Sequence, residues 1–457
     1  MRPDQTKVRH RRRPLRLRLA GALSLALGAS GLGTAANIAH AGQIVVENCN
    51  DSGPGSLREA YAGAVDGDIV DLSALTCSTI TLTSGPLLSA PDAGYVTLQG
   101  DPSTGLTLNG GNTDRVLMHS GSRIGVNGLN VTAGVAHDAL GGGCIYSSGD
   151  VGLLETTLSD CEVSTSGIVA AKGGGLRAMR GVVLRRSRVT GNRAHAAQAD
   201  ADGGGIHAQY VISAFQNTIS GNTASGDGSH YARGGGVFAS GYLRLDDITV
   251  SDNQADSGGG IYVGYLSQFV TPRLGNATIS SNHASGAAGG ILAGRSIRLY
   301  NSTLTNNTAV FDFGAGIYLA AGDADLHSTI VANNSTGDGL NAADIAGHSG
   351  AVISGAHNLV IASTLALPGD TLTTDPMLAA LADNGGGVQT QALQAGSPAI
   401  DAGENPLGLF SDERGFICPP VGQCVIAERT VGPTTDIGAF EFGAPDHIFD
   451  NGFDPES

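Results

Sequence analysis

One phrase recurs seven times in this chain: Gly-Gly-Gly-apolar-x-small, a gap, then Thr-Ile-Ser-x-Asn or a close relative. The Gly triplets, or their remnants, end at Gly143, Gly175, Gly205, Gly236, Gly260, Gly290 and Gly316. The matching anchor residues are Cys161, Asn192, Asn222, Asn253, Asn282, Asn307 and Asn333. In five copies the third Gly and the Asn lie 17 positions apart, against 18 in the first copy and 22 in the fifth. A period of this size marks a supersecondary unit that buries its apolar face only by stacking on the next one.

Inside a repeat the apolar residues alternate in three short runs. After Gly234 they are Val237/Ala239, Leu243/Leu245 and Ile248/Val250. Alternation with period 2 is the signature of a half-buried strand. The parity slips across Asp246-Asp247, so the chain turns there and a new strand begins. Three short strands per coil predict an all-β fold, a single-stranded right-handed parallel β-helix of the pectin-lyase-like kind. Gly triplets and β-branched Thr-Ile pairs are poor helix material, which argues against a helical solenoid. About ten coils are expected between Thr97 and Val360.

The Asn of each copy is expected at a turn, where Asn tolerates left-handed backbone and bonds neighbouring groups. Stacked Asn side chains can also bond one another as a ladder. The triplets suit a tight corner, and they do not follow a strand and open a helix as a phosphate loop would.

The first 41 residues have a basic start at Arg9–Arg13, an apolar run from Leu15 to Ala29, and Ala39-His40-Ala41 before Gly42. This reads as a secretory signal peptide. Without its eight basic residues and one Asp, 17 basic and 40 acidic side chains remain, a net charge of −23. Such a chain repels nucleic acid and anionic membrane. The cluster Arg185-Arg186-Ser187-Arg188 is the local exception, expected as a solvated strand edge. No further run is long and apolar enough to span a bilayer. The expected protein is therefore secreted or on the cell surface, monomeric and not membrane-spanning. Six cysteines fall into the close pairs Cys49/Cys77, Cys144/Cys161 and Cys418/Cys424, which in an exported chain predicts disulfides.

Ser56-Leu57-Arg58-Glu59 is a capping box, and Leu57, Ala60, Tyr61, Ala64 and Val65 follow with helical spacing. A short helix covering the first coil is expected. The chain then divides into a signal peptide (1–41), an N-terminal cap (42–95), β-helix repeats (96–360), an irregular C-terminal cap (361–443) and a tail (444–457).

Three resemblances accompany this reading. Ser56-Leu57-Arg58-Glu59-Ala60 with Gly67-Asp68-Ile69-Val70 resembles the CSLREA-type module of bacterial surface proteins, although Gly55 stands where that family has its leading Cys. Five ordered phrases resemble the choice-of-anchor Q domain: Asp375-Pro376-Met377-Leu378, Leu381–Gly386, Gly396–Gly403, Asp412-Glu413-Arg414-Gly415 and Asp436–Glu441. That resemblance implies a segment C-terminal to a β-helix, and no chemistry. The central repeats, with Gly-Gly-Gly-Ile and Thr-Ile-Ser-x-Asn, are similar to those of polymorphic outer membrane proteins, but that family's C-terminal barrel is not expected here. The tail from His447 to Asp454 resembles short apolar tails of some exported bacterial proteins.

Many right-handed β-helices cleave polysaccharides, through clustered acids for Ca²⁺ with a basic residue or through paired carboxylates. Asp246-Asp247 is a pair, but Arg186, Gln216, Asn276 and Asn301 occupy the place of Asp247 in other coils. Such a column is not a catalytic set, and no residue is assigned to catalysis, to a cofactor or to a metal. The informative variation is the anchor-to-Gly stretch, which is long in the early coils. Its loops, Ser164–Lys172, His195–Asp202 and Ser225–Arg233, carry His195, Asp200, Asp202, Asp227, His230, Tyr231 and Arg233. Insertions on one face of a solenoid mark its binding side. The expected function is adhesion or carbohydrate contact through this corner. The alternatives are a polysaccharide lyase or hydrolase and a structural envelope rod.

Overall fold

The computed structural model of the protein describes residues 42–265, 270–311, 313–336, 344–417 and 425–444. Cys418, Cys424 and the tail from Pro445 onward lie outside them. The chain winds into an all-β right-handed parallel solenoid of about 11 turns. The column formed by the second strand of each coil runs unbroken from Gln43–Val45 through Ile69–Asp71 and Tyr95–Gln99 to Ile353–Ala356. Stacking therefore starts well before Thr97, and residues 42–95 already supply strands. Like sits on like in the core. Ile145, Leu176, Ile206, Val237, Ile261, Ile291 and Ile317 are register partners in sequence, each fully buried.

The recurring phrase builds a waist in each coil. Its first Gly takes positive φ, between 59° and 71°, in Gly141, Gly173, Gly203, Gly234, Gly258 and Gly314, and in Ala288 of the sixth copy. The third Gly packs directly on the anchor Asn of its own coil. A Cβ on Gly236 would sit 3.1 Å from Asn253 Cγ and 2.7 Å from the Gly260 carbonyl oxygen of the next coil. The equivalent distance to the anchor Cγ is 3.0 Å at Gly175, Gly205 and Gly260 and 3.3 Å at Gly290. At each of these glycines a Cβ would also lie within 2.9 Å of a carbonyl oxygen of the next coil, closer than real Cβ contacts, so only Gly fits. The spacing between triplet and anchor reflects this contact, and the Cys144–Cys161 disulfide spans the same waist in the first copy. Cys49 and Cys77 form the second expected bridge.

The anchors form a buried ladder. The Oδ1 atoms of Asn222, Asn253, Asn282, Asn307 and Asn334 each accept from the backbone N–H and the side-chain amide of the anchor before, at 2.8–3.1 Å. The seventh anchor is thus Asn334, not Asn333. Asn333 instead has φ of 60°, matching Asn306, Ser281 and Asp252 in the copies before it. The left-handed residue precedes the anchor, because the anchor must turn its amide into the waist while its neighbour makes the bend. The ladder ends on Asp344, whose carboxylate accepts from Asn334 N and Nδ2. Burial pushes Asp344 up to about 6.

Beyond the waist, the stretches expected as loops are largely strands. Glu162–Thr165, Arg193–Ala196 and Thr223–Ser225 pair in one short column, and Ala171–Lys172, Ala201–Asp202 and Ala232–Arg233 in another. They enclose a second small core made almost only of alanine: Ala171, Ala194, Ala196, Ala201, Ala224, Ala232 and Ala255, with Val163. A lobe therefore stands beside the main solenoid in the early coils.

The helix Leu57–Gly63 forms as expected, with Ser56 accepting from Glu59 N. Glu59 returns its carboxylate to Gly55 N rather than to Ser56. Leu57, Tyr61 and Ala64 are buried, whereas Val65 is exposed. Tyr61 reaches into the solenoid and its hydroxyl meets His119 Nδ1 at 2.9 Å, while His119 Nε2 meets the Gly94 carbonyl at 3.1 Å. The carbonyl can only accept, so Nε2 carries the proton and Nδ1 accepts from Tyr61. Burial holds His119 below the usual imidazole value. The folded chain therefore favours the neutral ring, and this contribution is lost as pH falls below that value. Tyr61→Phe is expected to cost about 1–2 kcal/mol by stranding Nδ1, read as a lowered urea midpoint.

The C-terminal segment does more than close the last coil. Ser363 and Leu372 bridge to Ile345 and Leu359 at its end. The chain then runs back along the flank, over the turn between the second and third strands. Residues at that turn share positive φ: Gln216, Asp247, Asn276, Asn301 and Ser328, between 44° and 56°. Gln216 donates to the carbonyls of Arg414 and Phe416, Asn276 to Ser411 and Asn301 to Glu404. Gly438 N donates to Ser328 O, and Ala439 N to Thr303 Oγ1. The column that looked chemically incoherent is a docking stripe for this return.

Candidate functional site

The candidate groove lies along the seam where the alanine lobe meets the main solenoid. In the second to seventh copies, the residue two positions after the third Gly points outward from the first strand. Stacking aligns Arg177, His207, Phe238, Tyr262, Leu292 and Tyr318 in one column. Coil spacing of about 4.8 Å is close to ring-stacking distance. The His207 and Phe238 rings lie 4.9 Å apart and those of Phe238 and Tyr262 5.1 Å apart, each pair within 3° of parallel.

The lobe presents a polar column against these rings. Lys172, Asp202, Arg233 and Ser257 are successive register partners. Arg233 lies over Phe238 at 5.5 Å and Tyr262 at 5.7 Å, a cation–π arrangement. Its guanidinium is held by Asp202 and by Asp200, each at 2.8 Å. Burial works against the Arg233 charge, but the two aspartates outweigh it and its pKa rises. Burial pushes His207 down to about 3, helped by Arg177, Lys172 and Arg233, so the ring is neutral at physiological pH. Around this packed strip stand three exposed rings: Tyr231 (69%) at the lobe tip, Tyr265 (57%) and Phe313 (47%).

Of the residues expected at this corner, the fold brings together Asp200, Asp202 and Arg233, with Tyr231 beside them through its backbone bonds to Asp200 and Ala201. His195 lies on the other strand column of the lobe, bonded to Ser225 Oγ at 3.1 Å. Asp227 caps a turn at Ser229, and His230 is exposed nearby. The stacked rings were missed because each sits inside the repeated phrase that announces the scaffold. Their constant offset from the third Gly was the available signal.

Asp246 and Asp247 lie on the opposite flank. Asp246 is gripped by Arg244 at 2.6 Å and Arg273 at 2.7 Å. Burial pushes Asp247 up to about 6, with Asp246 adding to the shift and Asn276 opposing it. Asn276 in turn donates to Ser411 of the return. A raised carboxyl beside a second carboxylate is an acid–base arrangement in outline. Here it lies beside the returning chain, and the second carboxylate is bonded to two arginines. Among the described residues no cluster of His, Cys, Asp and Glu could hold a metal ion.

Residues 143–355 match the family model described as "Right handed beta helix region". With the fold, this defines the class: a right-handed parallel β-helix protein. The match spans the copies from Gly143 to Asn334, the stretch that carries the waist, the ladder and the groove. No curated protein and no solved structure gives a significant match to the chain.

Proposed function

We propose that this is an exported, non-catalytic β-helix protein of the bacterial surface or medium that contacts carbohydrate along the groove beside the alanine lobe. The observation that carries this reading is the set of exposed rings Tyr231, Tyr265 and Phe313 standing around the buried stack His207–Phe238–Tyr262. Exposed aromatic rings offer flat apolar faces to sugar C–H surfaces, and the partly exposed Arg233–Asp200 pair offers donors and acceptors to hydroxyls. Export is supported by the composition of residues 1–41 and by two disulfides. The strongly acidic chain favours a neutral glycan over an anionic one.

An enzyme reading needs a carboxylate pair open to a groove. Asp200 and Asp202 are bonded to Arg233, and Asp246 to two arginines, which supports binding over cleavage. The test is a glycan array with the purified mature chain, run beside reducing-sugar and unsaturated-product assays. The variant Tyr231→Ala/Tyr265→Ala/Phe313→Ala is expected to bind at least about tenfold more weakly while keeping its thermal midpoint, since each ring contact is worth about 0.5–1.5 kcal/mol. Product release from any glycan would overturn the non-catalytic reading. Unchanged binding by the triple variant would move the contact away from this groove.

A further inference from the structure

The C-terminal return is pinned to the solenoid by a carboxyl group that no cation among the described residues bonds. Glu413 is fully buried, between Thr249 and Thr278 on the outer face of the third-strand column. The two nearby guanidinium groups, Arg414 and Arg429, bond other groups and neither bonds Glu413. Arg414 bonds Asp412 and the carbonyls of Asn384 and Glu441. Arg429 donates to the carbonyls of Asp436, Gly438 and Ala439.

A proton count shows what this site demands. Thr249 Oγ1 has one hydrogen and two oxygen neighbours, the Gln389 carbonyl at 2.6 Å and Glu413 Oε1 at 3.1 Å. The carbonyl cannot donate, so the hydroxyl hydrogen goes to it. An ionised Glu413 would then oppose a bare lone pair on Thr249. A neutral carboxyl donates its own hydrogen there, while its other oxygen accepts from the Thr278 hydroxyl. Every hydrogen then has one place, and no unpaired charge is buried.

We propose that Glu413 is a neutral carboxylic acid that bolts the C-terminal return to the solenoid, so that undocking the return releases a proton and docking weakens as pH rises. Burial, the main cause, raises Glu413 well above the usual carboxylate value, against the Thr278 and Thr249 bonds and with the Asp412 charge adding to the rise. The sign follows. A carboxyl raised in the docked state binds a proton that the released chain gives up. Docking is therefore fully supported below the ordinary carboxylate value and is lost progressively as pH climbs toward the raised one. Asp247, Asp436 and Glu441 lie in the same region and are raised in the same direction, while Asp412 is paired with Arg414 and Arg429 is depressed by burial. They add to the pH slope, so the variant must isolate one proton.

The amides of Gly438 and Ala439 report docking, since they donate to Ser328 and Thr303 of the solenoid. Their hydrogen-exchange protection factors, corrected for intrinsic rate, are measured from about pH 5 to about pH 8. The wild-type chain is expected to lose up to about tenfold per pH unit for each proton released. Glu413→Gln keeps both bonds, its amide donating to Thr249 and its carbonyl accepting from Thr278. It is expected to stay protected with a slope shallower by up to about tenfold per pH unit. An unchanged slope, or collapse of protection at the acidic end, would overturn the proposal. Infrared spectra provide a second reading that does not depend on docking. A protonated-carboxyl stretch at neutral pH is expected in the wild type and reduced in Glu413→Gln, and identical spectra would equally overturn it.

Discussion

Asn253→Ala is expected to lower the unfolding free energy by about 3–5 kcal/mol, a large share of what holds an ordinary domain together. Asn253 Oδ1 accepts from Asn222 N and Nδ2, and its own Nδ2 donates to Ile219 O and to Asn282 Oδ1. All four bonds are buried. Truncation removes the amide and strands its partners where water does not reach them, at about 1–3 kcal/mol for each group left bare. The exposed neighbour Gln254 is the control, and Gln254→Ala should stay within about 0.5 kcal/mol of wild type. Denaturant midpoints of the two variants decide the matter. A loss below about 1 kcal/mol in Asn253→Ala would mean that the ladder is not what closes the waist.

Gly236→Ala is the second large effect, at about 2–4 kcal/mol. Its new methyl meets the Asn253 amide and a carbonyl of the next coil, neither of which can retreat without breaking the ladder. Gly234→Ala is expected to cost a comparable amount, about 2–4 kcal/mol, because its methyl would lie 2.2 Å from the Val237 carbonyl oxygen at a residue already held at positive φ. The chain contains its own precedent: Ala288 fills this first position with φ of 59°, whereas the third position is Gly in all seven copies. Chemical denaturation, with the Asn253 side-chain amide followed by NMR, checks both. If Gly236→Ala cost less than about 1 kcal/mol, the waist contact would not be the reason for the third Gly.

The coil was legible because its causes are local. Alternation, the triplet and the Thr-Ile-Ser-x-Asn run each specify a strand, a corner or a turn within about 30 residues, and stacking repeats them. The error at Asn333 shows the limit of that logic. Two adjacent asparagines satisfy the same phrase, and only the ladder's geometry chooses Asn334. The groove was half legible. Asp200, Asp202 and Arg233 stood out as a charged set in a variable stretch, while Phe238 and Tyr262 were hidden in a constant one.

The sequence by itself determined that the chain stacks, which residues face the core and about where each coil turns. These follow from periodicity and spacing, which act between near neighbours. Only the tertiary structure decided that the variable stretches fold around an alanine core, and that the corner from Gln216 to Ser328 is a seat for residues beyond Asp375. The contacts of Thr249 with Glu413 join positions 164 residues apart. No local pattern encodes such a pairing, because either partner alone is an ordinary threonine or an ordinary glutamate. Their meaning as a buried carboxyl held by hydroxyls arises when the return is laid along the solenoid and water is excluded between them.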